Sequence, residues 1–61
     1  MKVRDVTRLI ERDGWRHVRT RGSYRQFNHA ERRGVVTVPR KPNDDLAPGT
    51  LNSILKQAGI K

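Results

Sequence analysis

The part of the sequence best suited to binding a phosphate is a short glycine-containing segment that runs into a tyrosine: Arg21, Gly22, Ser23, Tyr24 and Arg25. Glycine lets a backbone approach a phosphate closely, and the Ser23 hydroxyl and neighbouring amides can donate hydrogen bonds to its oxygens. The flanking arginines add positive charge. A tight hairpin loop has the same composition without any further function, so a plain turn is the alternative.

The two histidines, His17 and His29, are the other candidates for chemistry, because imidazole transfers protons near neutral pH. His29 lies five residues from Tyr24, so strand alternation predicts that the two side chains point to opposite faces of a sheet. The same alternation predicts that His17 shares a face with Trp15 and Arg19. We therefore favour solvated or structural roles for both histidines over catalytic ones.

Asp44 and Asp45 are adjacent carboxylates in the last third of the chain. A metal ion would need further oxygen ligands that the chain does not clearly offer. Carboxylates placed just before a helix instead favour the positive end of its dipole and can cap its free amides. We therefore expect the pair to cap the second helix, and we expect no metal site.

The net charge of the sequence indicates what kind of molecule the protein binds. Lysine and arginine number 14 against 6 aspartates and glutamates, which gives a formal net charge of +8 at pH 7. That much positive charge on so small a chain favours a polyanionic partner, and arginine's planar side chain suits bidentate contact with phosphate. Nucleic acid is therefore the expected partner, with excess charge for solubility alone as the alternative.

Length and composition limit the rest of the architecture. A chain of 61 residues accommodates one domain, and the absence of cysteine excludes disulfides and thiolate metal ligands. No segment approaches the roughly 20 apolar residues that cross a bilayer. The first residues also lack the apolar core of a signal peptide. We expect a single domain over residues 1–61, located in the cytoplasm, with no membrane partner.

The elements that must position the candidate residues follow from the periodicity of the apolar side chains. Apolar residues at helical spacing predict an amphipathic helix over residues 3–12, which Gly14 ends. Three strand-like segments follow at residues 15–20, 24–29 and 35–38, with a glycine-containing turn between the first two. Their short connections predict an antiparallel meander.

A second helix is expected to begin at Pro48, since the fixed φ of proline suits the first turn, and to end at Gly59. Trp15 and Phe27 are expected in the core, because one buried indole is a large part of so small a core. The predicted fold class is α+β: a two-layer α-β-β-β-α domain with a three-stranded antiparallel sheet and two helices on one face.

Almost the whole chain resembles the HicA toxins, small RNA-cleaving proteins whose fold is similar to that of double-stranded-RNA-binding domains. The C-terminal stretch is the most specific part of the resemblance, because a match over so many consecutive residues is unlikely to arise from similar composition alone. The matching stretches are Asp13-Gly14-Trp15, Arg21-Gly22-Ser23-Tyr24-Arg25-Gln26-Phe27, Val36-Thr37-Val38-Pro39 and the tail from Pro42 to Gly59.

This resemblance implies a ribosome-independent mRNA interferase of a type II toxin–antitoxin system, which blocks translation and is held inactive by a HicB-type antitoxin. The family's catalytic residue is a histidine after Gly-Ser, and that position is Tyr24 here. Histidine can take the proton from a ribose 2′-hydroxyl, which then attacks the adjacent phosphorus. A tyrosine, whose ordinary pKa is about 10, is a poor base at neutral pH unless neighbouring cations lower that value.

Three interpretations of Tyr24 follow, in order of preference. The chain is an inactive or weakened member that still binds RNA and antitoxin; or Tyr24 acts as the base with help from Arg21 and Arg25; or another residue takes over. A non-catalytic RNA-binding module and an antitoxin-docking protein are the alternative functions. We expect no metal and no small-molecule cofactor. With Tyr24 at the catalytic position, the expected RNA-binding residues are Arg21, Gly22, Ser23, Arg25, Arg40 and Lys41.

Overall fold

The computed structural model describes residues 1–60, which contain two helices and three strands. In chain order they are α1 (Val3–Arg12), β1 (Trp15–Arg21), β2 (Tyr24–His29), β3 (Val36–Pro39) and α2 (Pro48–Gln57). The strands form one antiparallel sheet in the order β1-β2-β3. The predicted α+β class is confirmed, and the arrangement is consistent with the fold of double-stranded-RNA-binding domains.

Helix α1 has the bounds that its apolar periodicity predicts. Val3, Val6 and Ile10 are buried on one stripe, as expected of an amphipathic helix against a sheet. Gly14 follows with φ +104°, a left-handed conformation that side chains rarely adopt. A Cβ atom at this position would lie 2.6 Å from Nε2 of His29, so the packing also requires glycine there.

The hairpin of β1 and β2 contains an irregularity that the sequence analysis did not predict. His17 pairs with Phe27, but Arg19 pairs with the next residue along, Gln26, so Val18 is an extra residue in β1. Because such a bulge shifts the alternation of side chains by one residue, Arg19 faces away from the side that carries His17. The prediction that His17 and Arg19 share a face of the sheet is therefore wrong.

Strand β3 lies one residue further along the chain than predicted. Its ladder begins at Val36 and includes Pro39, which is opposite Tyr24. Proline is tolerated here because β3 is an edge strand, where a missing amide need not disrupt a second ladder. Val35 precedes the ladder and is exposed.

One core lies between the helices and a single face of the sheet. Trp15 and Phe27 are fully buried at its centre, as predicted, and Ile54 contributes from helix α2. Both apolar stripes therefore cover the same face, and no element within residues 1–60 covers the other face of the sheet. Within the described residues, the buried side chains are those of Val3, Val6, Ile10, Trp15, Phe27, Val36, Val38, Ile54 and Ala58.

Helix α2 begins without the acidic cap that we expected. Its N-cap is Ala47, which offers no side-chain hydrogen bond, and its first turn holds no acidic residue. Pro48 fills the first position instead, where the missing amide has no intrahelical acceptor to lose. The expectation that Asp44 and Asp45 cap this helix is wrong. Gly59 ends the helix at φ +71°, as predicted.

Candidate nucleic-acid interface

The loop between β3 and α2 is hydrogen-bonded to the N-terminus of helix α1. The amide of Val3 donates a hydrogen bond to the carbonyl of Asp44 at 2.9 Å, and the amide of Arg4 donates to the carbonyl of Pro42 at 3.0 Å. First-turn amides have no acceptor within their own helix, and Lys2 provides no side-chain cap, so the loop carbonyls satisfy them. The loop position is therefore fixed by backbone contacts rather than by its own sequence.

The same loop is also hydrogen-bonded to the β1–β2 turn. The amide of Arg40 donates to the carbonyl of Ser23 at 2.8 Å, which extends the β2–β3 pairing by one bond. Gly22 has φ +56° in that turn, with no heavy atom within 4 Å of the place where a Cβ would stand. The turn and the loop are thus held next to each other with open space beside the glycine.

A concavity of about 550 Å³ lies between the turn and the loop. Its volume is within the roughly 300–1,000 Å³ typical of small-ligand sites. It brings together five of the seven residues that the sequence analysis assigned to the site, and adds Pro39 and Asp44. The lining consists of Gly22, Ser23, Tyr24, Pro39, Arg40, Lys41 and Asp44.

Arg21 and Arg25 do not line this concavity. Arg21 pairs with Tyr24 at the end of the hairpin, and Arg25 pairs with the buried Val38. Because neighbouring residues of a strand point to opposite faces, Arg25 lies on the helix-covered side of the sheet, partly buried. Their assignment to RNA binding stays a prediction.

Asp44 is the lining residue that sequence reasoning placed elsewhere. Its position depends on the bond to Val3, at the other end of the chain, and on its own amide, which donates to the carbonyl of Lys41 at 3.3 Å. Neither contact leaves a local signature in the sequence. The neighbouring Asp45 lies against Lys2 instead, with 3.9 Å between the carboxylate and the ammonium.

Tyr24 lines the concavity and is 52% exposed. Within residues 1–60 its hydroxyl has no hydrogen-bond partner, so no neighbouring group orients it. Arg40 and Lys41 form no ion pair with any described residue. The concavity therefore offers two cations and an exposed aromatic ring to a ligand, beside one carboxylate.

Neither histidine lines the concavity. Nε2 of His17 lies 3.0 Å from the Thr20 hydroxyl. The His29 ring packs edge-on against Trp15, with 5.3 Å between ring centroids, which confirms that it faces away from Tyr24. Nδ1 of His29 accepts a hydrogen bond from the amide of Glu31 at 3.0 Å, so its Nε2 donates to the carbonyl of Asp13 at 2.7 Å.

The fold and this site define a small, basic α+β domain with a cation-lined concavity between its first hairpin and the loop before its last helix. The family model for the HicA toxin of bacterial toxin–antitoxin systems matches residues 3–60. The chain therefore belongs to the HicA toxin family, and the family implies an antitoxin as its partner. No curated protein matches the sequence. None of the helices within residues 1–60 is long and apolar enough to span a membrane.

Proposed function

We propose that this HicA family member is an RNA-binding toxin of a type II pair, and that Tyr24 weakens its endoribonuclease activity. In this proposal residues 1–61 act as one cytoplasmic domain, an mRNA interferase scaffold that blocks translation until a HicB-type antitoxin binds it. The observation that supports it is the gathering of the β1–β2 turn with Arg40 and Lys41 around one concavity.

Binding of RNA at this concavity follows from its donors and cations. We expect Arg40 and Lys41 to contact phosphates, and the Ser23 hydroxyl and the backbone at Gly22 to donate hydrogen bonds to phosphate oxygens. Because both cations lack carboxylate partners among residues 1–60, RNA binding breaks no ion pair of theirs. The exposed ring of Tyr24 offers a surface on which a base can stack, as in other single-strand sites.

Weak cleavage follows from the same geometry. Cleavage of RNA by its own 2′-hydroxyl forms a bond from the 2′-oxygen to phosphorus and breaks the bond to the 5′-oxygen. A base must remove the 2′ proton and an acid must protonate the leaving oxygen. A phenol accepts a proton less readily than an imidazole near neutral pH, and both histidines lie away from the concavity. Tyr24 therefore leaves the site with binding groups and a poor base.

The experiment compares the chain with its Tyr24→His and Tyr24→Phe variants. In growing cells without antitoxin we expect strong growth arrest with Tyr24→His and weak arrest with the unmodified chain. Purified proteins incubated with a long single-stranded RNA without added metal should show the same order of cleavage. Cleavage by the unmodified chain as fast as by Tyr24→His would contradict a weakened enzyme, and failure of all three to bind RNA would contradict the function.

A non-catalytic RNA-binding module is the second candidate, and Tyr24 is the observation that favours it. The two candidates differ in one comparison. A weakened enzyme loses its residual cleavage when Tyr24→Phe removes the hydroxyl, whereas a binding module shows no cleavage in either form and retains RNA affinity in both.

A further inference from the structure

Asp44 is the one acidic residue among those lining the concavity, and it stands beside two cations. Its backbone is held on both sides, because its carbonyl accepts from Val3 and its amide donates to Lys41. Its carboxylate forms no ion pair or hydrogen bond within residues 1–60. The structure therefore holds the backbone of Asp44 in place and leaves its exposed carboxylate, with two acceptor oxygens, beside Arg40 and Lys41.

A carboxylate in this place weakens the attraction for phosphate, since like charges repel. It becomes favourable only for a ligand that brings hydrogen-bond donors as well as phosphates. Nucleobases carry such donors on their Watson–Crick edges, and single-stranded RNA is read through those edges by proteins that also stack the bases on aromatic rings. Tyr24 supplies an exposed ring in the same concavity.

The chemistry of the carboxylate selects one base. An ionised carboxylate accepts hydrogen bonds at two oxygens and donates none. Guanine presents two adjacent donors, N1–H and the 2-amino group, which match the two oxygens. Adenine and cytosine present a donor next to an acceptor, and uracil presents one donor between two carbonyls, so each places an acceptor against the carboxylate.

We propose that Asp44 is a specificity-determining residue that selects guanine in single-stranded RNA, with the base stacked on Tyr24 and the adjoining phosphates held by Arg40 and Lys41. This inference rests on the proposed function, because it needs RNA at the concavity. Beyond RNA binding, the inference names the base that the site prefers and the residue that causes the preference.

The test measures the affinity of short oligouridines whose central base is guanine, inosine, adenine, cytosine or uracil. We expect guanine to bind at least about fivefold tighter than adenine, cytosine or uracil, since a good bidentate contact discriminates to that extent or more. Inosine keeps N1–H and lacks the 2-amino group, so it should bind between guanine and the others. Fluorescence anisotropy at fixed low salt provides the dissociation constants.

Two matched variants distinguish hydrogen bonding by the Asp44 carboxylate from the general effect of removing a negative charge from this loop. Asp44→Asn and Asp45→Asn both remove one negative charge from the same loop, but only Asp44 lines the concavity. We expect Asp44→Asn to bring the ratio of guanine to uracil affinity close to one while strengthening the binding of the uracil oligonucleotide. Asp45→Asn should keep the ratio of the unmodified chain.

The outcomes distinguish this inference from the function on which it rests. RNA binding without a guanine preference, or a preference that survives in Asp44→Asn, overturns the role of Asp44 and leaves RNA binding intact. Loss of the preference in Asp45→Asn to the same extent also overturns it, because the charge or the loop would then be responsible. Failure of every oligonucleotide to bind overturns both.

Discussion

The indole Nε1 of Trp15 donates a hydrogen bond to the backbone carbonyl of Ala58 at 3.2 Å, across 43 residues of sequence. Arg32, in the connection between β2 and β3, donates to the same carbonyl through Nη1. Ala58 is the C-cap of helix α2, whose last carbonyls have no partner within the helix. One carbonyl thus joins the first strand, the β2–β3 connection and the last helix.

Trp15→Phe tests this junction. The substitution removes the indole donor and leaves unfilled volume in a core where Trp15 is fully buried. We expect the free energy of unfolding to fall by about 2 kcal/mol, from the lost hydrogen bond and the packing defect together. Urea denaturation followed by circular dichroism measures the change. Val18→Ala is the control, because Val18 is exposed and its loss should cost within about 0.5 kcal/mol.

Gly14→Ala and Gly34→Ala separate backbone strain from packing. Both glycines have positive φ, +104° and +90°, so alanine is strained by about 1 kcal/mol at either position. Only at Gly14 would the new methyl group meet another side chain, Nε2 of His29. We expect Gly14→Ala to lower the free energy of unfolding by at least about 1 kcal/mol more than Gly34→Ala does. Equal losses in thermal or urea unfolding would show that His29 moves aside freely.

The helices and the order of the strands were predictable from the sequence because they depend on local periodicity. The spacing of Val3, Val6 and Ile10 defines helix α1 by itself. The bulge at Val18 was not predictable, since an extra residue in one strand is visible only against the register of its partner. The shift of β3 to include Pro39 has the same origin, because it depends on pairing with Tyr24.

The site was predictable in part for a related reason. The β1–β2 turn is contiguous in sequence, and the excess of basic residues pointed to Arg40 and Lys41 as phosphate contacts. Asp44 was assigned to a helix cap because local sequence favours carboxylates before a helix. Its actual place depends on the free amide of Val3 at the opposite end of the chain, a contact that no local pattern encodes.

Arg40→Gln with Lys41→Gln tests whether the concavity supplies the phosphate contacts. Each phosphate contact to single-stranded nucleic acid contributes about 0.7 to the slope of log affinity against log salt, so the double variant should lower that slope by about 1.4. Binding titrations of an oligouridine at several salt concentrations give the value. The control is Arg8→Gln with Arg12→Gln, which removes the same charge from exposed positions of helix α1. A slope that falls equally in both double variants would indicate diffuse attraction.

Nuclear magnetic resonance of the isotope-labelled protein, titrated with a short single-stranded RNA in low salt, tests the central claim most directly. The account predicts that the largest amide shift changes fall in residues 22–24, 40, 41 and 44, which line the concavity. The amides of Arg8 and Arg12 on helix α1 should change little. Shift changes centred on helix α1 with the turn unaffected, or no changes at all, would contradict RNA binding at this site.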